Sequence, residues 1–401
     1  MADLELIRAL LTPAESKIIL LVLDGLGGLA VQPGGLTELE AASTPNLDRL
    51  AAEGVVGLHH VVGPGITPGS GPGHIGLFGY DPIRYRIGRG AVEAVGVGFD
   101  FRPGDLAARG NFCTIDAAGI VTDRRAGRIS TERAAELCAK LRQIELPGVE
   151  IFVEPGREHR FVLVLRGEGL SEGVGDTDPG EAGRAPLEAR AEDPAAEGTA
   201  KIVGEFVSAA RGLLADHVPA NMILLRGLAR RPDWPRFPEV FGLRAVAVAQ
   251  YPMYRGVATL VGMDAVDVGP RPKDIASTLE KVWADYDFAF VHFKATDKAG
   301  EDGDFEGKVR AIESVDALVP RIVALEPDVF IVTGDHSTPS AIRQHSWHPV
   351  PVLLRSETCR RDDVERFGEK WCRRGGLGIL RAQDLMPLAL AHAGRLAKFG
   401  A

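Results

Sequence analysis

Three apolar runs in this chain lead to an aspartate. Lys17-Ile18-Ile19-Leu20-Leu21-Val22-Leu23 ends at Asp24-Gly25, Phe288-Ala289-Phe290-Val291-His292-Phe293-Lys294-Ala295-Thr296 at Asp297, and Val329-Phe330-Ile331-Val332-Thr333-Gly334 at Asp335-His336. Each reads as a buried strand that delivers a carboxylate to its carboxyl end, where open α/β sheets keep their ligands. Carboxylates gathered in one pocket repel unless a cation neutralises them. Asp24, Asp297, Asp335, His336 and either His345 or His348 form an oxygen and nitrogen donor set without thiolate, which suits manganese, magnesium or zinc. Two such ions about 3.5 to 4 Å apart stabilise both the attacking and the leaving oxygen of a phosphoryl group. Ser70 then becomes a candidate nucleophile, because a hydroxyl beside a divalent ion loses its proton more readily. Lys294 is a candidate to offset developing charge, a solvated surface lysine being the alternative.

The elements that must carry these residues are legible in part. Pro64-Gly65-Ile66-Thr67-Pro68-Gly69-Ser70-Gly71-Pro72-Gly73-His74 is too rich in glycine and proline for strand or helix, so Ser70 is expected in a loop. Thr44 to Gly54 has an N-cap threonine, proline at the first helical position and a closing glycine, which predicts a short helix. The last third alternates helix 272–285, the strand before Asp297, helix 305–325, the strand before Asp335, strand 350–354 and a terminal helix 383–398. That alternation implies a mainly parallel sheet with helices on both faces. Residues 91–259 have a different texture, with strands expected at 160–165, 221–225 and 244–249, helices at 130–141 and 199–214, and a loop over 167–197. The expected organisation is therefore α/β: a discontinuous metal-binding domain of residues 1–90 and 260–401, and a smaller α+β domain inserted at 91–259. Arg160, Arg166, Arg125 and Arg226 recur beside strands or turns of that insertion, and the guanidinium fork fits carboxylate and phosphate.

The rest of the composition narrows the class. A net charge of -9 over 401 residues argues against nucleic-acid or anionic-membrane partners. Cys113, Cys138, Cys359 and Cys372 make no C-x-x-C pair, and the acidic amino terminus shows no signal peptide, so a reducing, cytoplasmic setting is expected. Gly25-Leu26-Gly27-Gly28-Leu29-Ala30 satisfies the G-x-G-x-x-A dinucleotide fingerprint. A pyrophosphate needs bare amides at a helix amino end, and here Asp24 adjoins the first glycine while Pro33-Gly34-Gly35 interrupts any following helix.

Taken together, the motifs carry a resemblance. Leu23-Asp24-Gly25, Thr67 to His74 with Gly79-Tyr80-Asp81-Pro82, Asp123-Arg124-Arg125-Ala126-Gly127-Arg128, Arg160 to Gly167, His292 to Asp297, Gly334-Asp335-His336-Ser337 and His345 to Pro351 follow one another in the order of a known family. The chain resembles the cofactor-independent phosphoglycerate mutases in their archaeal-type form, within the alkaline phosphatase superfamily. The resemblance implies an alkaline-phosphatase-like fold and interconversion of 3-phosphoglycerate and 2-phosphoglycerate through a phosphoserine at Ser70. It places Asp24, Ser70, Asp335 and His336 around one divalent ion and Asp297 and His345 around another, with Mn2+ favoured and Mg2+, Zn2+ or Co2+ as alternatives. The family has a histidine four residues after Asp297, where this chain has Glu301; Glu301 can ligate through oxygen, and Asp302 or Asp304 could serve instead. Arg160 and Arg166, then Arg125 and Arg226, are expected to clamp the glycerate. The same metal core would also serve a phosphatase, a phosphopentomutase or a homoserine-directed phosphotransferase, and a binding protein without turnover is the alternative from another class.

Overall fold

The computed structural model describes residues 3–400, which form two compact units. One runs up to Arg86 and resumes at Trp234, and the other is Ile87–Asp233. In chain order the strands are β1 (Ile18–Leu23), β2 (Val55–His60), β3 (Leu106–Ile115), β4 (Val121–Asp123), β5 (Glu150–Pro155), β6 (Arg160–Arg166), β7 (Met222–Arg230), β8 (Ala245–Ala249), β9 (Asp264–Ala265), β10 (Phe288–Phe293), β11 (Val329–Thr333), β12 (Val350–Ser356) and β13 (Gly378–Arg381).

In the first unit the sheet order is β13-β2-β12-β11-β1-β10-β8-β9. β1 pairs in parallel with both β10 and β11, β10 with β8, and β8 with β9, whereas β12 lies antiparallel to both its neighbours. Every residue of β1, β8, β10 and β11 is buried, so these strands are apolar throughout rather than alternating and are covered on both faces. The core under them joins Ile19, Leu21 and Leu23 to Val291, Phe293, Phe330 and Val332. Register decides what meets at the sheet's end. Leu23 lies beside Phe293, and Val22 beside Thr333, so the chain leaves three adjacent strands at one place.

The second unit is an antiparallel sheet. β3 runs between β6 and β7, β5 flanks β6, and β4 continues on the far end of β3. Helices Thr131–Leu141 and Glu197–Leu214 pack Leu137, Leu141, Val203 and Phe206 against Phe161, Leu163 and Leu165.

Several boundaries differ from expectation. Residues 234–259, assigned above to the insertion, belong to the first unit because β8 pairs with β10 and extends its sheet. The helix expected over 305–325 is two helices, Phe305–Asp316 and Val319–Val323, with Pro320 in the first turn of the second, where its missing N–H costs nothing. Among the described residues no helix is long and apolar enough to cross a membrane.

Candidate active site and metal centre

Asp24 follows β1 directly, and Asp335 and His336 follow β11 after Gly334. Asp297 departs from the expected strand end. It lies in the first turn of helix Ala295–Asp302, which starts two residues beyond β10, and that helix sets Glu301 one turn after it on the same face. Ser70 also departs from the loop reading: it opens helix Ser70–Leu77. Pro72 is tolerated there because first-turn amides have no intrahelical partner. Gly73 is required by a close approach, since a Cβ at that position would stand 2.5 Å from the Asp335 carbonyl oxygen. Gly25 takes φ +63° and its amide donates to Asp335 Oδ1 at 3.0 Å. The amides of Gly28 and Leu29 go to Glu369 and Glu38, so this turn presents its N–H groups to the protein's own carboxylates and not to a pyrophosphate.

The side chains converge. His336 Nε2 lies 3.2 Å from Ser70 Oγ, 3.4 Å from Asp24 Oδ1 and 3.1 Å from Asp335 Oδ2. On its other side Thr338 Oγ1 is 3.0 Å from His336 Nδ1 and donates to Asp297 Oδ1 at 2.6 Å. His345 stacks on His336 with ring centroids 3.6 Å apart, and its Nε2 is 3.5 Å from Asp297 Oδ1 and 3.8 Å from Glu301 Oε1. Lys294 Nζ is 3.0 Å from Asp24 Oδ2, 2.5 Å from Asp297 Oδ2 and 2.9 Å from the Tyr254 hydroxyl.

Two groups of donor atoms each fit within 4.8 Å: Asp24, Asp335 and His336, and Asp297, His336 and His345. Whether these are cation sites or a self-sufficient polar cluster is decided by charge. Asp24, Asp297 and Asp335 are fully buried, with Lys294 the cation at ion-pair distance from two of them. Burial drives Asp24 up, but Lys294, His292 and His336 outweigh it and hold its carboxyl well below the usual range. Asp335 goes the other way: burial, then the charge of Asp24, pushes it well above that range. Both oxygens of Asp24 and Oδ2 of Asp335 are buried without a hydrogen-bond partner; Lys294 reaches Asp24 at ion-pair distance without hydrogen-bond alignment. Burial also holds His336 well below its ordinary pKa and takes His74 down to about 3, so these imidazoles stay neutral, as ligands must be. Three buried carboxylates that share the Lys294 ammonium, beside neutral imidazoles, are the donor set of a divalent cation, and the residues fit one.

A second basic constellation lies within the other unit. Arg109 of β3 pairs in register with Arg226 of β7, and its β6 partner Val162 lies two residues from Arg160, so the three share a sheet face. Burial takes Arg109 down to about 10, with Glu93 opposing and Arg160, Arg89 and Arg226 adding to the drop. Nε of Arg109 and Nε of Arg160 are buried without partners.

Known proteins with this chain's sequence and fold point the same way. The family model for 2,3-bisphosphoglycerate-independent phosphoglycerate mutase matches residues 51–221. A relative from Thermus thermophilus, named "Probable 2,3-bisphosphoglycerate-independent phosphoglycerate mutase", is 52% identical over 98% of both chains. One from Aquifex aeolicus with the same name is 50% identical over 99% of this chain and 100% of its own. The chain belongs to the 2,3-bisphosphoglycerate-independent phosphoglycerate mutase family. Among solved structures, the cofactor-independent phosphoglycerate mutase of Thermoplasma acidophilum superposes with TM-score 0.74 at 32% identity, over 94% of this chain and 100% of its own. The PH0037 protein of Pyrococcus horikoshii does so with TM-score 0.84 at 31% identity, over 97% and 100%.

For a member of this family, the structure brings together Asp24, Ser70, Asp297, Asp335, His336 and His345 of the residues named from the sequence. Glu301 stands at the edge of the group, half-exposed. His348 instead bonds Ser346 at 3.0 Å. Of the four arginines, Arg160 and Arg226 join the Arg109 group, and Arg125 is exposed nearby, where it adds to the charge felt by His159. Arg166 lies at the other end of β6, held by Asp105 through two bonds of 2.7 Å. The sequence reading missed Arg109, because β3 shows no alternation and carries Gly110 at its centre. It also missed His292, 3.3 Å from Asp24, and the Tyr254 ring packed against it, with centroids 3.9 Å apart. A histidine inside a fully apolar strand was the available signal, since a buried imidazole needs a partner.

Proposed function

We propose that this chain interconverts 3-phosphoglycerate and 2-phosphoglycerate by passing the phosphoryl group to Ser70 and back to the other hydroxyl of the same glycerate. The observation that carries this is the Ser70 hydroxyl, 3.2 Å from His336 Nε2 and at the amino end of a helix, beside buried carboxylate oxygens of Asp24 and Asp335 that have no hydrogen-bond partner. Asp24, Ser70, Asp335 and His336 would hold one divalent ion, and Asp297, His345 and Glu301 a second, with Mn2+ preferred over Mg2+, Zn2+ or Co2+. Bound there, the ions supply Lewis acidity toward the phosphoryl oxygens and make the serine proton easier to lose.

The protein's own groups do the rest. The Ser70 Oγ–P bond forms as the P–O bond to glycerate breaks, and the glycerate oxygen takes up a proton. In the return step the neighbouring glycerate hydroxyl loses its proton, its oxygen bonds phosphorus as the Ser70 Oγ–P bond breaks, and Oγ takes up a proton. Free first-turn amides of helix Ser70–Leu77 favour the negative charge on phosphoserine. Lys294, whose pKa rises because the pull of Asp24 and Asp297 exceeds the cost of burial, remains an ammonium that can neutralise phosphoryl oxygens. For the substrate's anionic groups we assign Arg109, Arg160 and Arg226, with Arg125 beside them; Arg166 acts by holding Asp105. Glycerate must stay bound between the two transfers, because water reaching phosphoserine would release phosphate instead. The buried, unpaired thiols of Cys113, Cys138 and Cys372 accord with a cytoplasmic enzyme.

The test is Ser70→Ala, assayed by coupling 2-phosphoglycerate to enolase and, on the same preparation, by phosphate release. Loss of mutase activity with Mn2+ uptake retained through the remaining ligands supports the assignment. Mutase activity surviving in Ser70→Ala, or a wild-type enzyme that only releases phosphate, overturns it in favour of another route or of a phosphatase.

A further inference from the structure

His336 is the residue through which the two donor groups overlap, since each of its nitrogens is near a carboxylate of a different group. Counting protons resolves which group it serves. The Thr338 hydroxyl has one hydrogen and two lone pairs. Asp297 Oδ1 accepts only, and at 2.6 Å it takes that hydrogen. The remaining contact, 3.0 Å between Thr338 Oγ1 and His336 Nδ1, is then a bond in which the ring donates and the hydroxyl accepts. Were Nδ1 bare, Thr338 would have to give its proton to the ring and would face Asp297 with lone pairs alone. Asp297 Oδ1 itself is 3.9 Å from Nδ1, too far to compete.

Thr338 has little freedom to do otherwise. Its amide donates to Gly27 O at 3.0 Å, and its own carbonyl accepts from the fully buried Lys308 ammonium at 2.9 Å. Lys308 also donates to Gly27 O at 2.9 Å, tying Thr338 to the turn that follows Asp24. We propose that Thr338 is a positioning residue that assigns His336 to a single metal centre, holding the ring in its Nδ1–H form with the Nε2 lone pair turned to Asp24, Asp335 and Ser70. The same hydroxyl anchors Asp297, so one side chain sets the donor geometry of both groups. This rests on the two-centre reading above.

Metal-free protein labelled with 15N-histidine, and calorimetric Mn2+ titration of wild type, Thr338→Val and Thr338→Ser, test it without recourse to turnover. Valine keeps the shape and loses the hydroxyl; serine keeps the hydroxyl. Wild type should show His336 protonated at Nδ1 and take up two Mn2+. Thr338→Val should show a mixture of ring tautomers and an affinity lower by about 10- to 100-fold, the range for removing the partner of a metal-ligating histidine. Thr338→Ser should return to within about threefold of wild type. A valine variant with wild-type melting, wild-type Mn2+ affinity and an unchanged imidazole spectrum overturns the proposal, as does a serine variant as impaired as valine. A wild-type protein that binds no pair of ions overturns the two-centre reading itself, which separates the two failures.

Discussion

Glu301 Oε1 lies 3.8 Å from His345 Nε2, beyond hydrogen-bond reach. Helical spacing places Glu301 one turn beyond Asp297, so the second centre proposed above would hold two carboxylates and one imidazole. Burial, then the charge of Asp297, raises the Glu301 carboxyl above its ordinary pKa, the response of an acid short of positive charge.

Oxygen-rich donor sets favour Mn2+ and Mg2+, and added imidazole shifts preference toward Zn2+ and Co2+. Glu301→Ala is therefore expected to weaken binding of one of two Mn2+ ions by at least about tenfold, and Glu301→His to restore it while raising relative affinity for Zn2+. Metal titrations of chelated and reloaded protein read this directly. Unchanged stoichiometry and affinity in Glu301→Ala would remove Glu301 from the ligand set.

Arg109 and Arg166 should fail in different ways when replaced by Met. Arg109 has an unpartnered buried Nε among other guanidiniums, so its loss is expected to raise KM for phosphoglycerate by roughly 10- to 100-fold, the cost of about 1.5 to 3 kcal/mol for a charge-assisted bond. Arg166 covers Asp105, whose side chain is 1% exposed, so its loss leaves a buried carboxylate unpaired and should lower stability by about 1 to 3 kcal/mol with KM little changed. Kinetics and urea denaturation of both variants decide; the reverse pattern would exchange their roles.

His59 predicts an acid limb. It is fully buried, with Nε2 2.9 Å from Thr333 Oγ1 and 3.2 Å from Gly334 O, and burial lowers it from 6.5 to about 4. Below pH 6.5 the unfolded chain binds a proton that the folded chain refuses until about pH 4, so stability falls as pH drops through that window and levels off below it. The whole drop is about 3 kcal/mol. His59→Gln should shallow the slope of unfolding free energy against pH by up to about one proton between those limits. An identical slope in wild type and variant would show that His59 already titrates normally in the fold.

Much of the site was legible because its chemistry sits at the ends of unusually apolar runs. Ile18 to Leu23, Phe288 to Phe293 and Val329 to Thr333 could only be buried strands, and a carboxylate just beyond such a run has to find a partner. The order of the motifs along the chain carries the family resemblance by itself. Periodicity, however, reports how much of an element is buried and not what lies beside it. That β10 and β11 flank β1, that residues 234–259 extend their sheet, and that Asp297 starts a helix all follow from long-range pairing. The same holds for Ser70, whose Gly-Pro surroundings describe a loop until Gly73 packs on the Asp335 carbonyl and a helix starts there. Arg109, Thr338 and Lys308 carry no local signal whatever, because their roles exist only through neighbours distant in the chain. Residue types determined which chemistry this protein could perform, and the folded arrangement decided which nitrogen, which hydroxyl and which guanidinium perform it, since hydrogen-bond direction and charge pairing depend on distances of a few ångströms.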